Sequence, residues 1–285
     1  MESSINTSNS ILQEYVCKLT IDNKVRLFIK RDDLIHPLIM GNKWRKLKYN
    51  IEYFKENNFK NILTFGGAHS NHILATAAAG NIFNIPTIGI IRGEELSITS
   101  NETLAKADSL GMKLVFIPRN EYKHRNHVDF IKNLSDTYEK TYIIPEGGCN
   151  ELAIKGSSEI FSDSKINFDF YACSCGTGTT AAGIASKMPI NSKLLIFPSL
   201  NQTTEQEVLV NKINPTKHII WNKNYILGGY AKVNKLLEEF IYDFPIPLDN
   251  VYTGKLFWGV FKLIEEKYFP QNSKIVIYHS GGYRI

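Results

Sequence analysis

Only four of the 285 residues are cysteine. Cys17, Cys149, Cys173 and Cys175 are too few and too unevenly spaced to staple a chain of this length with disulfides, and they lack the ligand spacing of a zinc site, so no metal is expected. Cys173 and Cys175 alternate along a predicted strand and read as thiols in a reducing, cytoplasmic setting. No apolar run approaches the roughly 18 residues that a membrane helix needs, and the polar residues 1–10 lack the basic and apolar regions of a signal peptide. Neither a membrane partner nor a secretory route is expected. The formal net charge is only +5, and no basic run reaches about five residues, which argues against a nucleic-acid partner. Low-complexity tracts and internal repeats are missing too. At 43% hydrophobic and 21% charged, the composition is that of a globular protein, long enough for two domains or one large one.

What is present is a regular alternation. Residues 25–30, 61–65, 87–91, 113–117 and 142–144 read as strands, as do 168–172, 193–197, 218–221 and 274–279. Helices are predicted over 43–56, 70–83, 100–111, 128–138, 151–161, onward from 179, and over 203–210, 231–242 and 254–268. Such alternation calls for an α/β class with mostly parallel sheets and helices on both faces, and there are strands enough for two sheets. The pattern itself suggests a seam only between residues 145 and 167.

Ligands of open α/β sheets bind at the carboxyl ends of strands. Three strand ends here are rich in glycine and polar residues: Gly66 to His72, Gly176 to Gly183, and His279 to Gly282. In the second, glycines let the backbone approach an anion, the helix that follows offers free N–H groups, and Thr177, Thr179 and Thr180 add hydroxyls. Two readings stand, a tight turn that serves packing alone and a phosphate cup. It is neither a Walker loop, since no lysine follows the last glycine, nor a dinucleotide fingerprint, since the glycine spacing and the acidic residue are wrong. A cup of that kind suits a cofactor with one phosphate, such as pyridoxal phosphate, which also needs a lysine for its aldehyde. Lys43 is a candidate because Gly41-Asn42-Lys43 sits at a predicted helix start, where the dipole favours a neutral amine.

Six segments in order, Lys30-Arg31-Asp32-Asp33, Gly41 to Leu47, Ser70-Asn71-His72, Gly176 to Gly183, Val251 to Lys255 and His279-Ser280-Gly281-Gly282, resemble the motifs of the 1-aminocyclopropane-1-carboxylate deaminase and D-cysteine desulfhydrase family. These are pyridoxal-phosphate enzymes of the tryptophan synthase β-subunit fold. The resemblance implies two three-layer α/β/α domains, a smaller one over residues 47–148 and a larger cofactor-binding one from 1–46 and 149–285. It implies that Lys43 forms the Schiff base and later moves protons. Asn71 would bond the cofactor's 3-hydroxyl, and Thr177, Gly178, Thr179 and Thr180 would hold the phosphate, with Lys46 nearby. Ser70, Asn71 and His72 would face the substrate, a small amino acid, at its carboxylate, while Tyr230 and Tyr252 would line the substrate side. Blander roles stand beside these: a helix cap for His72, core packing for the tyrosines, and structural hydrogen bonds for His69 and His279. A homodimer is implied as well. One departure is Met40, which stands where relatives have the first glycine of Gly-Gly-Asn-Lys.

The family pattern separates two reactions. Ring-opening deaminases carry a glutamate where this chain has Thr253 and a leucine where it has Ser280; hydroxyls at both positions are similar to the desulfhydrases. A hydroxyl beside the pyridine nitrogen leaves it unprotonated and makes a shallower electron sink than a carboxylate does, which suits loss of a good β-leaving group. The expected activity is therefore αβ-elimination from D-cysteine to pyruvate, hydrogen sulfide and ammonia. The alternatives are 1-aminocyclopropane-1-carboxylate deamination to 2-oxobutanoate and ammonia, and a non-catalytic protein that binds the cofactor. A dehydratase or cysteine synthase relative of the same fold is disfavoured by Ser70-Asn71-His72.

Overall fold

The structure, a computed structural model, describes residues 5–216 and 218–282. In chain order, β1 (Leu12–Tyr15), α1 (Lys18–Asp22) and β2 (Arg26–Arg31) precede α2 (Asn42–Glu56), β3 (Asn61–Gly66), α3 (Asn71–Phe83) and β4 (Thr87–Arg92). There follow α4 (Glu102–Ser109), β5 (Met112–Ile117), α5 (Arg119–Tyr122), α6 (Val128–Thr137), β6 (Thr141–Ile144) and α7 (Glu151–Ser157). The last part holds β7 (Phe170–Cys175), α8 (Thr179–Lys187), β8 (Lys193–Pro198), α9 (Thr204–Ile213), β9 (Ile219–Trp221), α10 (Lys235–Asp243), α11 (Thr253–Glu265) and β10 (Lys274–His279). The chain forms two compact units, Lys43–Gly156, and Ile5–Asn42 with the chain from Ser157 onward.

The unit Lys43–Gly156 is built on a four-stranded sheet in the order β5-β4-β3-β6, with every pair parallel. Its central strands are near-continuous apolar runs because both faces are covered. Leu63, Phe65, Ile88 and Ile90 turn to one face, where Tyr122, Phe130, Ile131 and Leu134 of α5 and α6 meet them. Ile91, one residue out of phase, turns to the other face and joins Ile73, Ala77, Leu104 and Ala107 of α3 and α4.

The second unit carries a six-stranded sheet in the order β1-β2-β10-β7-β8-β9, parallel except for the edge strand β1. Helix α11 is its main inner helix. Leu256, Phe257, Val260, Leu263 and Ile264 recur at helical spacing and pack on Leu27, Ile29, Phe170, Leu195, Phe197, Ile275 and Ile277. Burial of each such side chain contributes about 1.5–3 kcal/mol. On the opposite face Phe28, Phe161, Phe168, Tyr171 and Tyr278 meet edge to face.

The α/β class with mostly parallel sheets is the one that the alternation predicts, and four local differences stand beside it, three of them with a visible physical cause. Strand β1 has Gln13 and Glu14 at its centre, and an edge strand needs no apolar run. Helix α7 stops at Ser157, short of the expected 161. Strand β7 continues to Cys175 because Cys173, Ser174 and Cys175 pair with Ile196, Phe197 and Pro198. Helix α10 starts only at Lys235, since Ala231 is left-handed at φ 56° and Asn234 caps the helix by accepting the Leu237 N–H at 2.9 Å.

Candidate active site

In the unit that holds α8, the candidate residues gather at the carboxyl ends of β7 and β10. Gly178 lies at φ 85° and is the N-cap of α8, with no side chain of its own to cap the first turn. Thr179, Thr180 and Ala181 are all buried there. A buried helix start carries N–H groups without intrahelical partners, which can donate to an acceptor. Thr177 and Thr179 share a hydroxyl contact at 3.1 Å, and the Asn42 side-chain amide donates to Thr180 Oγ1 at 3.1 Å. Over the same turn, a Cβ on Gly176 would press on Tyr252 at 3.3 Å, so the phenol ring lies close against the cup. The donor set, the open first turn and the hydroxyls suit a phosphate monoester.

Gly41 locks this turn to the end of β10. It lies at φ 59°, and a Cβ there would overlap the Ser280 carbonyl, which accepts the Asn42 N–H at 3.3 Å. Only glycine meets both demands. Met40 closes the other side: Gly282 donates its N–H to Met40 Sδ at 3.0 Å. The Gly41 N–H is held by the Asp32 carbonyl at 2.9 Å, while the buried Asp32 carboxylate accepts the Ser10 hydroxyl and, at 2.9 Å, the Tyr278 hydroxyl. The Lys30 to Asp33 segment is thus the foundation of the Gly41 turn. His279 is structural as well: Nε2 donates to the Pro247 carbonyl at 2.9 Å and Nδ1 accepts the Gly281 N–H at 3.2 Å. Burial lowers its pKa, partly opposed by the Asp33 carboxylate.

Tyr252 and Tyr230 meet edge to face, with ring centroids 6.2 Å apart. Burial, then the Tyr230 hydroxyl, holds the Tyr252 phenol well above the usual tyrosine value, so it stays a neutral O–H donor. Thr253 differs from its expected place beside a ring nitrogen. It is fully buried, its Oγ1 donates to Asp249 Oδ2 at 2.6 Å, and it accepts the Asp249 N–H at 2.8 Å. Asp249 in turn accepts the N–H groups of Val251, Tyr252 and Thr253 and so caps α11. Thr253 is a helix-start residue whose hydroxyl is committed to Asp249, and Ser280 is buried at the end of β10.

The other unit carries the second group. Lys43 lies in the first turn of α2, half-buried. Lys46, one turn on, is buried and donates to the Gly147 carbonyl at 2.7 Å. Ser70 caps α3 by accepting the Ile73 N–H at 3.3 Å, which leaves its own O–H to donate, and Asn71 opens the helix half-buried. His72 departs from its expected role as a carboxylate donor. It is 2% exposed, and Nε2 lies 3.0 Å from Thr64 Oγ1, whose only proton goes to the Ile144 carbonyl at 2.8 Å. His72 therefore carries its proton on Nε2 and spends it on Thr64. Burial, then the charges of Lys46 and Lys43, holds it well below the usual histidine value, and the neutral Nδ1 is a buried acceptor without a hydrogen-bond partner among the described residues.

Asp249 and Lys255 were not singled out from sequence. Asp249 had a local signal, a short acceptor four residues before a helix start; Lys255 closes the Val251 to Lys255 motif, but nothing local marks its role, since its partners lie 26 and 29 positions away.

A profile described as "Pyridoxal-phosphate dependent enzyme" matches residues 16–190, more than half of the chain. A putative 1-aminocyclopropane-1-carboxylate deaminase of Pyrococcus furiosus is 28% identical over 281 residues, with 90% of this chain and 84% of the relative covered. A bifunctional D-cysteine desulfhydrase/1-aminocyclopropane-1-carboxylate deaminase of Arabidopsis thaliana is 26% identical, with 92% and 73% covered. Among solved structures, an ACC deaminase homologue superposes with a TM-score of 0.80 at 23% identity, covering 98% of this chain and 91% of that one. A hydrogen sulfide-producing enzyme of Fusobacterium nucleatum shares the fold at a TM-score of 0.68 and 15% identity, with 97% and 95% covered.

Proposed function

Because the chain belongs to the family of pyridoxal-phosphate dependent enzymes, we propose that it deaminates a small amino acid by αβ-elimination, converting D-cysteine and water to pyruvate, hydrogen sulfide and ammonia. One observation carries the reading: the buried, threonine-lined start of α8 is tied through Thr180 to Asn42, and the next residue in the chain is Lys43. When bound, pyridoxal phosphate supplies an aldehyde for amino groups and a ring that draws off the electron pair left at Cα.

The residues then divide the work. Thr177 to Thr180 would hold the phosphate with N–H and hydroxyl donors. Lys43 would hold the cofactor through its aldehyde, and its amine would be the base that takes the proton from Cα. The Ser70 hydroxyl and Asn71 receive the substrate carboxylate at the start of α3, where the helix dipole favours an anion. Tyr252, a neutral phenol, donates to the departing sulfur. Ser280 would offer a hydroxyl, not a carboxylate, to the ring nitrogen, which suits expulsion of a thiol over opening of a cyclopropane. We extend the proposal to a homodimer, which the resemblance implies, and to a cytoplasmic setting, which fits four free cysteines; sedimentation mass and cell fractionation test these.

The substrate test is a panel of D- and L-amino acids and 1-aminocyclopropane-1-carboxylate, with 2-oxo acid and sulfide both measured. Pyruvate and sulfide in equal amounts from D-cysteine is the expected result. The names of the relatives favour a second reading, cyclopropane ring opening, and 2-oxobutanoate as the sole product would select it. Cofactor binding without turnover of any substrate would leave a binding protein.

A further inference from the structure

Lys255 sits where local physics disfavours a lysine twice. It lies in the first turn of α11, at the positive end of the helix dipole, and it is 2% exposed. Its partners are two main-chain carbonyls: Nζ donates to Ile226 at 2.6 Å and to Gly229 at 2.7 Å. Those carbonyls belong to one loop. After the short 3-10 helix Lys223–Ile226 the chain passes through left-handed backbone at Leu227 (φ 55°), Gly228 (86°), Gly229 (128°) and Ala231 (56°). For Leu227 and Ala231 that conformation costs of order 1–2 kcal/mol each and persists only if the surroundings impose it. The side chain that the loop delivers is Tyr230, half in solvent and edge-on to Tyr252.

We propose that Lys255 is a positioning residue: its ammonium pins a strained loop through two carbonyls and so holds Tyr230 against Tyr252 on the substrate side. This rests on the reading above that these tyrosines face the substrate. The latch itself, however, is a property of the folded chain, and its test does not require turnover. Charge-assisted bonds to a carbonyl are stronger than neutral ones, so two of them on one buried cation oppose the strain of the loop.

The experiment compares wild type, Lys255→Met, Tyr230→Ala and the double variant. Hydrogen–deuterium exchange across residues 222–232 of cofactor-free protein is expected to rise sharply in Lys255→Met, with exchange in β7 and α8 unchanged. In the holoenzyme, KM for D-cysteine is expected to rise about tenfold with kcat and the cofactor absorbance nearly unchanged. In the Tyr230→Ala background the same change adds less than about twofold, because the two residues act through one another. Where Lys255→Met fails to fold, Lys255→Gln, shorter but with two N–H donors, carries the comparison. Unchanged exchange over 222–232, or a KM defect equally large without Tyr230, overturns the proposal. A wild type that turns over no D-cysteine sinks the proposed substrate and leaves exchange to decide the latch.

Discussion

Asn42 and Thr180, 138 positions apart, are joined by a hydrogen bond of 3.1 Å from the Asn42 amide to the Thr180 hydroxyl. The bond orients a hydroxyl in the first turn of α8 and ties that turn to the residue before Lys43. Asn42→Ala removes the donor and leaves Thr180 free to rotate. A net loss of about 0.5–1.5 kcal/mol corresponds to cofactor affinity weakened roughly twofold to tenfold. Titration of cofactor-free protein with pyridoxal phosphate, followed by quenching of intrinsic fluorescence, measures it, and a thermal scan in the same buffer should show a small loss of stability.

Thr253 and Ser280 share a chemistry and differ in surroundings. Thr253→Val leaves the Asp249 N–H without its acceptor and Asp249 without one donor, so it should destabilise the start of α11 by about 1–2 kcal/mol. The cofactor absorbance of the refolded holoenzyme should not move. Ser280→Ala should do the reverse, shifting the absorbance with little change in denaturant midpoint. Paired spectra and urea titrations of the two variants check both statements.

His72 makes stability depend on pH with a definite sign. Its folded pKa lies well below the ordinary 6.5. Above that value both folded and unfolded histidine are neutral and the contribution is complete. As pH falls through it, the unfolded chain takes up a proton that the buried ring refuses, and stability drops by up to about 1.4 kcal/mol per pH unit. His279, depressed in the same direction by burial, adds to the slope. Urea midpoints from about pH 7.5 down to about 5 should fall in wild type and fall less steeply in His72→Gln.

Gly41→Ala should be among the most damaging small substitutions in the chain. A left-handed φ costs an alanine about 1–2 kcal/mol, and the new methyl would also overlap the Ser280 carbonyl. The turn must open, and with it go the Asn42 to Ser280 hydrogen bond and the alignment of Asn42 on Thr180. Thermal melting should show lost stability, and cofactor titration should show weakened binding in whatever folds.

Strands such as β3, β4 and β8 were readable because their apolar runs are bounded by turn residues, and α3 and α8 because each follows a glycine-rich strand end. Single-residue roles were less readable. The Lys30 to Asp33 segment stood out, yet its work, holding the Gly41 N–H through the Asp32 carbonyl, is a main-chain bond that no side-chain pattern encodes. Thr253 and His72 looked like ligand donors because a hydroxyl and an imidazole stood at motif positions. Their protons are committed to Asp249 and Thr64, partners fixed only by the folded backbone. Lys255 closes a motif, yet its burial was not legible, since a lysine in a helix normally reads as a solvated charge.

The most direct measurement is peptide mass spectrometry of protein saturated with pyridoxal phosphate and reduced with borohydride. A pyridoxyl-phosphate mass addition on the peptide that contains Lys43, lost in Lys43→Ala, is the expected result. An unmodified Lys43 with the addition on another lysine would contradict the assignment on which the proposed chemistry depends.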